Sequence, residues 1–120
     1  MDDEIPDYSY ENGYIVTKKL LDSGVEFTAL FAASDTTAFG AYRAILESGK
    51  QIPRDISVVG FDGIDMCEYM YPSLTTIKQP GEKMAAEAVR LLNDKIEGKN
   101  EVKQTIFEAD LIEKESVLKL

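Results

Sequence analysis

The sequence has no histidine and only one cysteine, and no apolar run approaches the ~20 residues that a membrane-spanning helix needs. Without histidine, the chain lacks the commonest general base at neutral pH and the commonest metal ligand. Cys67 cannot form an internal disulfide, and no neighbouring base in the sequence activates its thiol. Glycine motifs for phosphate, dinucleotide or nucleophile-elbow sites are absent as well. These absences predict that the protein is not an enzyme and uses neither a metal nor a cofactor.

Positive charge is also scarce. The chain has 13 Lys and Arg against 22 Asp and Glu, which gives a formal net charge of −9. A surface that binds nucleic acid needs clustered Lys and Arg to neutralise phosphates, and no such cluster occurs. We therefore expect that this chain does not contact DNA itself. Its acidic start is unlike a secretory signal peptide, so we expect a cytoplasmic protein without membrane contacts.

The sequence does contain alternating helical and strand patterns. Apolar residues at helical spacing predict helices over 9–21 and 36–48 and a third helix that begins near Pro80. Short apolar runs predict strands over 27–33, 56–61, 74–77 and a closing strand within 105–112. This order predicts an α/β fold with an open, mostly parallel sheet and flanking helices.

Two of the predicted strands end on short hydrogen-bond acceptors. Ser34 and Asp35 follow the run 27–33, which has the composition of a strand buried on both faces, and Asp62 follows 56–61. Open parallel sheets bind ligands at this edge. A carboxylate there can accept hydrogen bonds from two hydroxyls, which suits a sugar or another polyol. Two simpler interpretations stay open: Asp35 as the N-cap of the second helix, and Asp62 as a turn residue.

Aromatic and sulfur side chains are concentrated between Met66 and Tyr71, in a stretch that looks like a loop. Together with Phe39 and Arg43, four residues apart on the second predicted helix, this stretch forms either a surface for a partner or an ordinary edge of the core. The segment 62–65 has too few oxygen ligands for calcium, so no metal site is expected there.

Five segments resemble conserved segments of one protein family, the LacI/GalR regulators of bacteria. They are YSYENG at 8–13, AASD with AFGA over 32–41, IPRDISVVGFD at 52–62, PSLTTIKQP at 72–80 and LIEKES at 111–116. Their order and spacing over nearly the whole chain make the resemblance specific. It implies a periplasmic-binding-protein-like core of type I, present here incompletely. Residues 1–78 would form part of its C-terminal half, and 79–120 would supply a crossover helix and closing strands that belong partly to the N-terminal half.

The resemblance also implies a function. The chain would be the effector-sensing part of a DNA-binding transcription regulator of the repressor type, which binds a sugar-like molecule in a cleft and transmits that binding allosterically. Matching positions line the cleft at Tyr8, Ser34, Asp62 and Gln79, with Ser34 where sugar binders of this fold often carry Asn. Matching positions at the homodimer interface are Tyr14, Phe39, Arg43, Met66 and Met70. DNA would be bound through a helix-turn-helix domain that this chain does not contain.

Two alternatives belong to other classes of protein. A periplasmic or lipid-anchored sugar-binding protein would share the fold and the cleft residues, but the segments IPRDIS and LIEKES favour the regulator. A small α/β enzyme or phosphoacceptor module would use Asp35 or Asp62. That alternative lacks a base and the clustered acids that magnesium requires.

Overall fold

The computed structural model describes residues 7–99 and 103–119. Within them, the helices are α1 (Tyr10–Asp22), α2 (Asp35–Glu47), α3 (Met66–Tyr69) and α4 (Gly81–Ile96). The strands are β1 (Ala29–Phe31), β2 (Ser57–Asp62), β3 (Thr75–Lys78) and β4 (Asp110–Ile112). The predicted elements are therefore all present, and α3 is a short helix in the stretch that looked like a loop.

The strands form one open sheet in the order β1-β2-β3-β4. β1 and β3 both run parallel to β2, and β4 is antiparallel to β3. The prediction of a mostly parallel α/β sheet is confirmed. Because β1, β2 and β3 are parallel, the residues that follow them lie at the same edge of the sheet.

Helices α1 and α2 pack closely because each carries a glycine at the contact. A Cβ at Gly13 would lie 2.2 Å from the carbonyl oxygen of Thr37, and a Cβ at Gly40 would lie 2.0 Å from that of Tyr10. Any larger residue at either position would push the two helices apart. This close packing brings the start of α1, next to Tyr8, against the start of α2.

The hydrophobic core lies between α2 and the sheet. Its most deeply buried members include Ile45 on α2, Val58 on β2 and Leu74 before β3. The buried hydroxyl of Ser116 ties the last described segment to this core, since it donates to the Val58 carbonyl at 2.6 Å and accepts from the Thr75 amide at 2.8 Å. The segment LIEKES thus has a structural role in closing the sheet.

The prediction that 27–33 is a strand buried on both faces is wrong. The strand itself spans only Ala29–Phe31. It is an outer strand of the sheet, and Phe31 is 63% exposed. A continuous apolar run is compatible with burial on both faces, but burial also needs a neighbouring strand on each side. Among the described residues, β1 has a neighbouring strand only in β2.

Helix α4 differs from the other long helices because none of its residues is buried. Its apolar side chains Met84, Val89, Leu92 and Ile96 are all exposed. Polar contacts hold its other side: Arg90 pairs with Glu87 and Asp94. None of the helices within the described ranges is long and apolar enough to span a membrane.

Candidate functional site

Ser34 is the N-cap of α2. Its hydroxyl oxygen accepts a hydrogen bond from the Thr37 amide at 3.1 Å, and the side chain is buried. The hydroxyl also lies 3.4 Å from the carbonyl oxygen of Tyr8, which accepts a shorter hydrogen bond of 2.6 Å from Thr36. The structure therefore brings Tyr8 next to Ser34, 26 residues later in the chain, while the Tyr8 ring remains 53% exposed.

The interpretation of Asp35 as the N-cap of α2 is wrong, because Ser34 caps the helix and Asp35 is its first residue. The carboxylate of Asp35 turns into the protein and is fully buried. Its Oδ2 accepts from the amides of Gly63 at 2.7 Å and Ile64 at 2.9 Å, and its Oδ1 accepts from the Thr76 hydroxyl at 2.6 Å. Asp35 thus connects the start of α2 to the loop after β2.

Asp62 and Gln79 are in direct contact. The side-chain amide of Gln79 donates to Asp62 Oδ1 at 2.8 Å, and its backbone amide donates to the Asp62 carbonyl at 3.2 Å. Asp62 has a φ of 125°, which is rare for a residue other than glycine. Within the described part of the chain, no donor reaches the second carboxylate oxygen, Oδ2. This oxygen is available to accept a hydrogen bond from a bound hydroxyl.

The four residues predicted to line the cleft therefore form two pairs at one edge of the sheet. Tyr8 lies beside Ser34, which follows β1 in the chain. Asp62, at the end of β2, lies beside Gln79, which follows β3. Asp35 joins the two pairs. It is the next residue after Ser34, and its carboxylate accepts a hydrogen bond from the backbone amide of Gly63, the next residue after Asp62. An aromatic ring, a carboxylate and an amide at one edge match the usual means of binding a sugar. Their contact with a ligand stays a prediction.

A separate groove of about 410 Å³ lies beside α3, lined by residues of 63–69, β3 and Lys114. Cys67 is on its wall, but the thiol is buried, and burial together with the nearby Asp35 raises the pKa of Cys67 to about 12. The thiol is therefore protonated at neutral pH. Lys114 and Glu68 form an ion pair in this groove.

The five residues predicted at a dimer interface do not share one environment. Phe39 is only 7% exposed and stacks on Tyr10 with 6.0 Å between ring centroids, so most of its surface is already covered within the chain. Met70 packs against the core, whereas Met66 is 51% exposed. The remaining two, Tyr14 and Arg43, both bind Glu47.

Two strongly exposed aromatic residues were missing from that set. Tyr69 is 81% exposed and Tyr71 is 91% exposed. Both lie within the aromatic stretch 66–71, so the concentration of large apolar side chains there was the signal that could have identified them. Thr76 was also missed as a partner of Asp35, and no local sequence signal connects residues 41 positions apart.

A sequence model of the periplasmic binding protein-like domain family matches residues 4–117. The chain belongs to this family. The match confirms the fold that the sequence resemblance implied.

Several proteins similar to this chain are transcription regulators. The HTH-type regulator MalR of Clostridium butyricum is 43% identical over 119 residues, which cover 97% of this chain and 36% of MalR. A LacI-family regulator from Enterococcus faecium, solved with bound ribose, is 39% identical with a TM-score of 0.82, over 95% of this chain and 42% of that one. The lac repressor dimer, bound to operator and an anti-inducer, is 34% identical with a TM-score of 0.88, over 94% and 40% of the two chains.

These matches confirm the resemblance to the LacI/GalR regulators. The chain spans roughly a third of the length of the curated relatives, 36% in the case of MalR.

Proposed function

We propose that this chain is part of the effector-sensing core of a bacterial LacI-family transcription regulator, of the repressor type. A sugar or a similar polar small molecule binds at the edge formed by Tyr8, Ser34, Asp62 and Gln79. The contact between Asp62 and Gln79 carries this proposal, since it fixes one oxygen of a carboxylate at 2.8 Å and leaves the other available to a ligand hydroxyl. Hydrogen bonds to a carboxylate are stronger than those between neutral groups.

The signal is transmitted by linkage in this proposal. A ligand that binds one geometry of the cleft more tightly than another shifts the protein toward that geometry. The DNA-binding heads differ in their affinity for the operator between the two states, and couplings of this kind amount to ~1–3 kcal/mol. The protein acts by binding alone, in the cytoplasm, and contacts DNA through a helix-turn-helix domain outside this chain.

The proposed division of the chain at residue 78 is supported by burial. Residues up to β3 pack into one core, whereas α4 has no buried residue and exposes Leu92 and Ile96. An apolar helix face of this kind is expected when it packs against another part of the structure. We therefore assign residues 79–120 partly to the N-terminal half of the effector core.

The proposed homodimer uses the face formed by α1, α2 and the segment 66–71. Tyr14, Arg43 and Met66 contribute exposed surface there, and the neighbouring Tyr69 extends it. Phe39 lies beneath this face, and its contact with a partner subunit stays a prediction. It supports the half-exposed ring of Tyr10 from below, because the two rings stack.

A thermal-shift screen of sugars, nucleosides and phosphosugars on the full-length protein tests the ligand proposal. A sugar at ~100 times its Kd stabilises the folded state by about 2.7 kcal/mol and raises the melting temperature. The change Asp62→Ala should abolish this rise, because it removes the acceptor at the edge of the sheet.

Asp65→Ala is the matched control for that experiment. Asp65 is an exposed carboxylate in the same loop, and its side chain makes no capping hydrogen bond to α3. The control variant should keep the full thermal shift. A shift that survives Asp62→Ala would remove Asp62 from the site.

A further inference from the structure

The chain has an unusual backbone where β2 ends, at the proposed ligand site. Asp62 and Gly63 both have positive φ angles, 125° and 78°. Asp62 is the single residue other than glycine with a positive φ in the described ranges. Such a conformation persists only where the surroundings impose it. The groups that impose it on Asp62 therefore also determine where its carboxylate lies.

The Asp35 carboxylate is one of these groups. Its Oδ2 accepts hydrogen bonds from two consecutive backbone amides, that of Gly63 at 2.7 Å and that of Ile64 at 2.9 Å. The Gly63 amide belongs to the peptide unit that begins at Asp62. Holding that peptide unit fixes the direction in which the chain leaves Asp62, while the Gln79 amide holds the Asp62 carbonyl from the other side at 3.2 Å.

The Asp35 side chain is itself fixed by its surroundings. Its side chain is fully buried, and its other oxygen accepts the Thr76 hydroxyl at 2.6 Å. The missing side chain of Gly60 provides the space, since a Cβ there would lie 2.3 Å from Asp35 Oδ1. The position of Asp35 is thus set by α2, β2 and β3 together.

We propose that Asp35 is a positioning residue of the effector site: it does not contact the ligand but fixes the backbone of Asp62 through Gly63 and Ile64. The ligand part of this inference rests on the proposed function, whereas the geometric part does not. In this arrangement, the binding of a sugar hydroxyl depends on two residues: Asp62, which accepts the hydrogen bond, and the buried Asp35, which holds Asp62 in place. Loosening Asp35 weakens binding because the carboxylate of Asp62 is then no longer preorganised.

Hydrogen exchange in the absence of ligand tests the geometric part. In the full-length protein, Asp35→Asn should raise the exchange rate of the Gly63 and Ile64 amides about tenfold, because a hydrogen bond to a charged group is replaced by a weaker one. Thr76→Val, which removes one partner of Asp35, should raise the same rates by less and serves if Asp35→Asn does not fold. Unchanged exchange at Gly63 and Ile64 in a folded variant would overturn the inference.

Ser116→Ala is the control for stability. It removes a buried hydroxyl that bonds the Val58 carbonyl and the Thr75 amide and interacts with the Tyr42 side chain, so it destabilises the fold without a direct hydrogen bond to Asp35, Gly63 or Ile64. The Gly63 and Ile64 amides should keep their protection relative to the rest of the core in this variant. Equal loss of protection in Ser116→Ala and Asp35→Asn would show that Asp35 acts only on overall stability, against the proposal.

Calorimetric titration with D-ribose tests the coupling to binding. Asp35→Asn should weaken ribose binding about tenfold in the wild-type background and have almost no effect when Asp62→Asn is already present, because it acts through Asp62. Additive losses in the double variant would contradict the positioning role. Failure of the wild-type protein to bind ribose would count against ribose as the effector, and the exchange rates at Gly63 and Ile64 would still decide the role of Asp35.

Discussion

Helices α2 and α4 have the same kind of amphipathic pattern and opposite environments. Eight of the 13 residues of α2 are buried, between α1 and the sheet. None of the 16 residues of α4 is buried, although it is the longer helix. An apolar stripe at helical spacing therefore predicts that a helix forms, but it does not predict what covers the stripe.

The two helices also differ in what stabilises them. α2 is held by packing, with Ile45 completely buried and Gly40 against the backbone of α1. α4 is held by its own ion pairs, in which Arg90 binds Glu87 and Asp94. The difference predicts that substitutions in α2 and α4 have very different effects on stability.

The largest expected effect is the loss of stability on removing a core side chain of α2. Ile45→Ala should lower the free energy of unfolding by about 2–5 kcal/mol, because it leaves a cavity in the core. Leu92→Ala on α4 is the matched change, and in this chain it should cost no more than about 0.5 kcal/mol, since Leu92 is 58% exposed. Urea unfolding of both variants measures the difference.

Equal losses in the two variants would contradict the contrast between the helices. The same two variants in the full-length protein test whether another part of the structure covers α4. If residues 79–120 belong partly to another half of the core, Leu92→Ala should cost clearly more there than in the 120-residue chain. An unchanged small cost would remove the support for the proposed division at residue 78.

A smaller effect is expected from alkaline pH, and it should arise in the α2 region. Burial raises the pKa of Tyr42 on α2 to about 12, and burial raises the pKa of Cys67 to a similar value. Because the unfolded chain ionises these groups at lower pH, stability is full below about pH 8 and declines as the pH rises toward about 12. Urea midpoints measured from pH 8 to pH 11 should fall, and Tyr42→Phe should flatten the fall. A decline of the same slope in that variant would exclude Tyr42 as a cause.

The sequence was sufficient for features that depend on nearby residues. Ser9 was predicted to start α1, and its side chain accepts a hydrogen bond from the Asn12 amide, three residues later. The alternation of elements was sufficient for the parallel sheet. The positions of Ser34 and Asp62 at one edge followed from that topology alone.

Features that depend on distant residues were predicted less well. Ser34 and Asp35 are both good N-cap residues, and nothing local distinguishes them. The choice is decided by Gly63, Ile64 and Thr76, which lie 28 to 41 residues away and offer the carboxylate three donors. The prediction that β1 is buried on both faces was wrong for a similar reason. Such burial depends on neighbouring strands and not on the strand's own composition.

We propose that Asp62 and Gln79 hold the effector at the edge of the sheet. A crystal structure of the full-length protein with the sugar that gives the largest thermal shift tests it most directly. We expect a sugar hydroxyl about 2.7 Å from a carboxylate oxygen of Asp62, with the Tyr8 ring against one face of the sugar. A sugar bound in the groove beside α3, with no contact to Asp62 or Gln79, would contradict it.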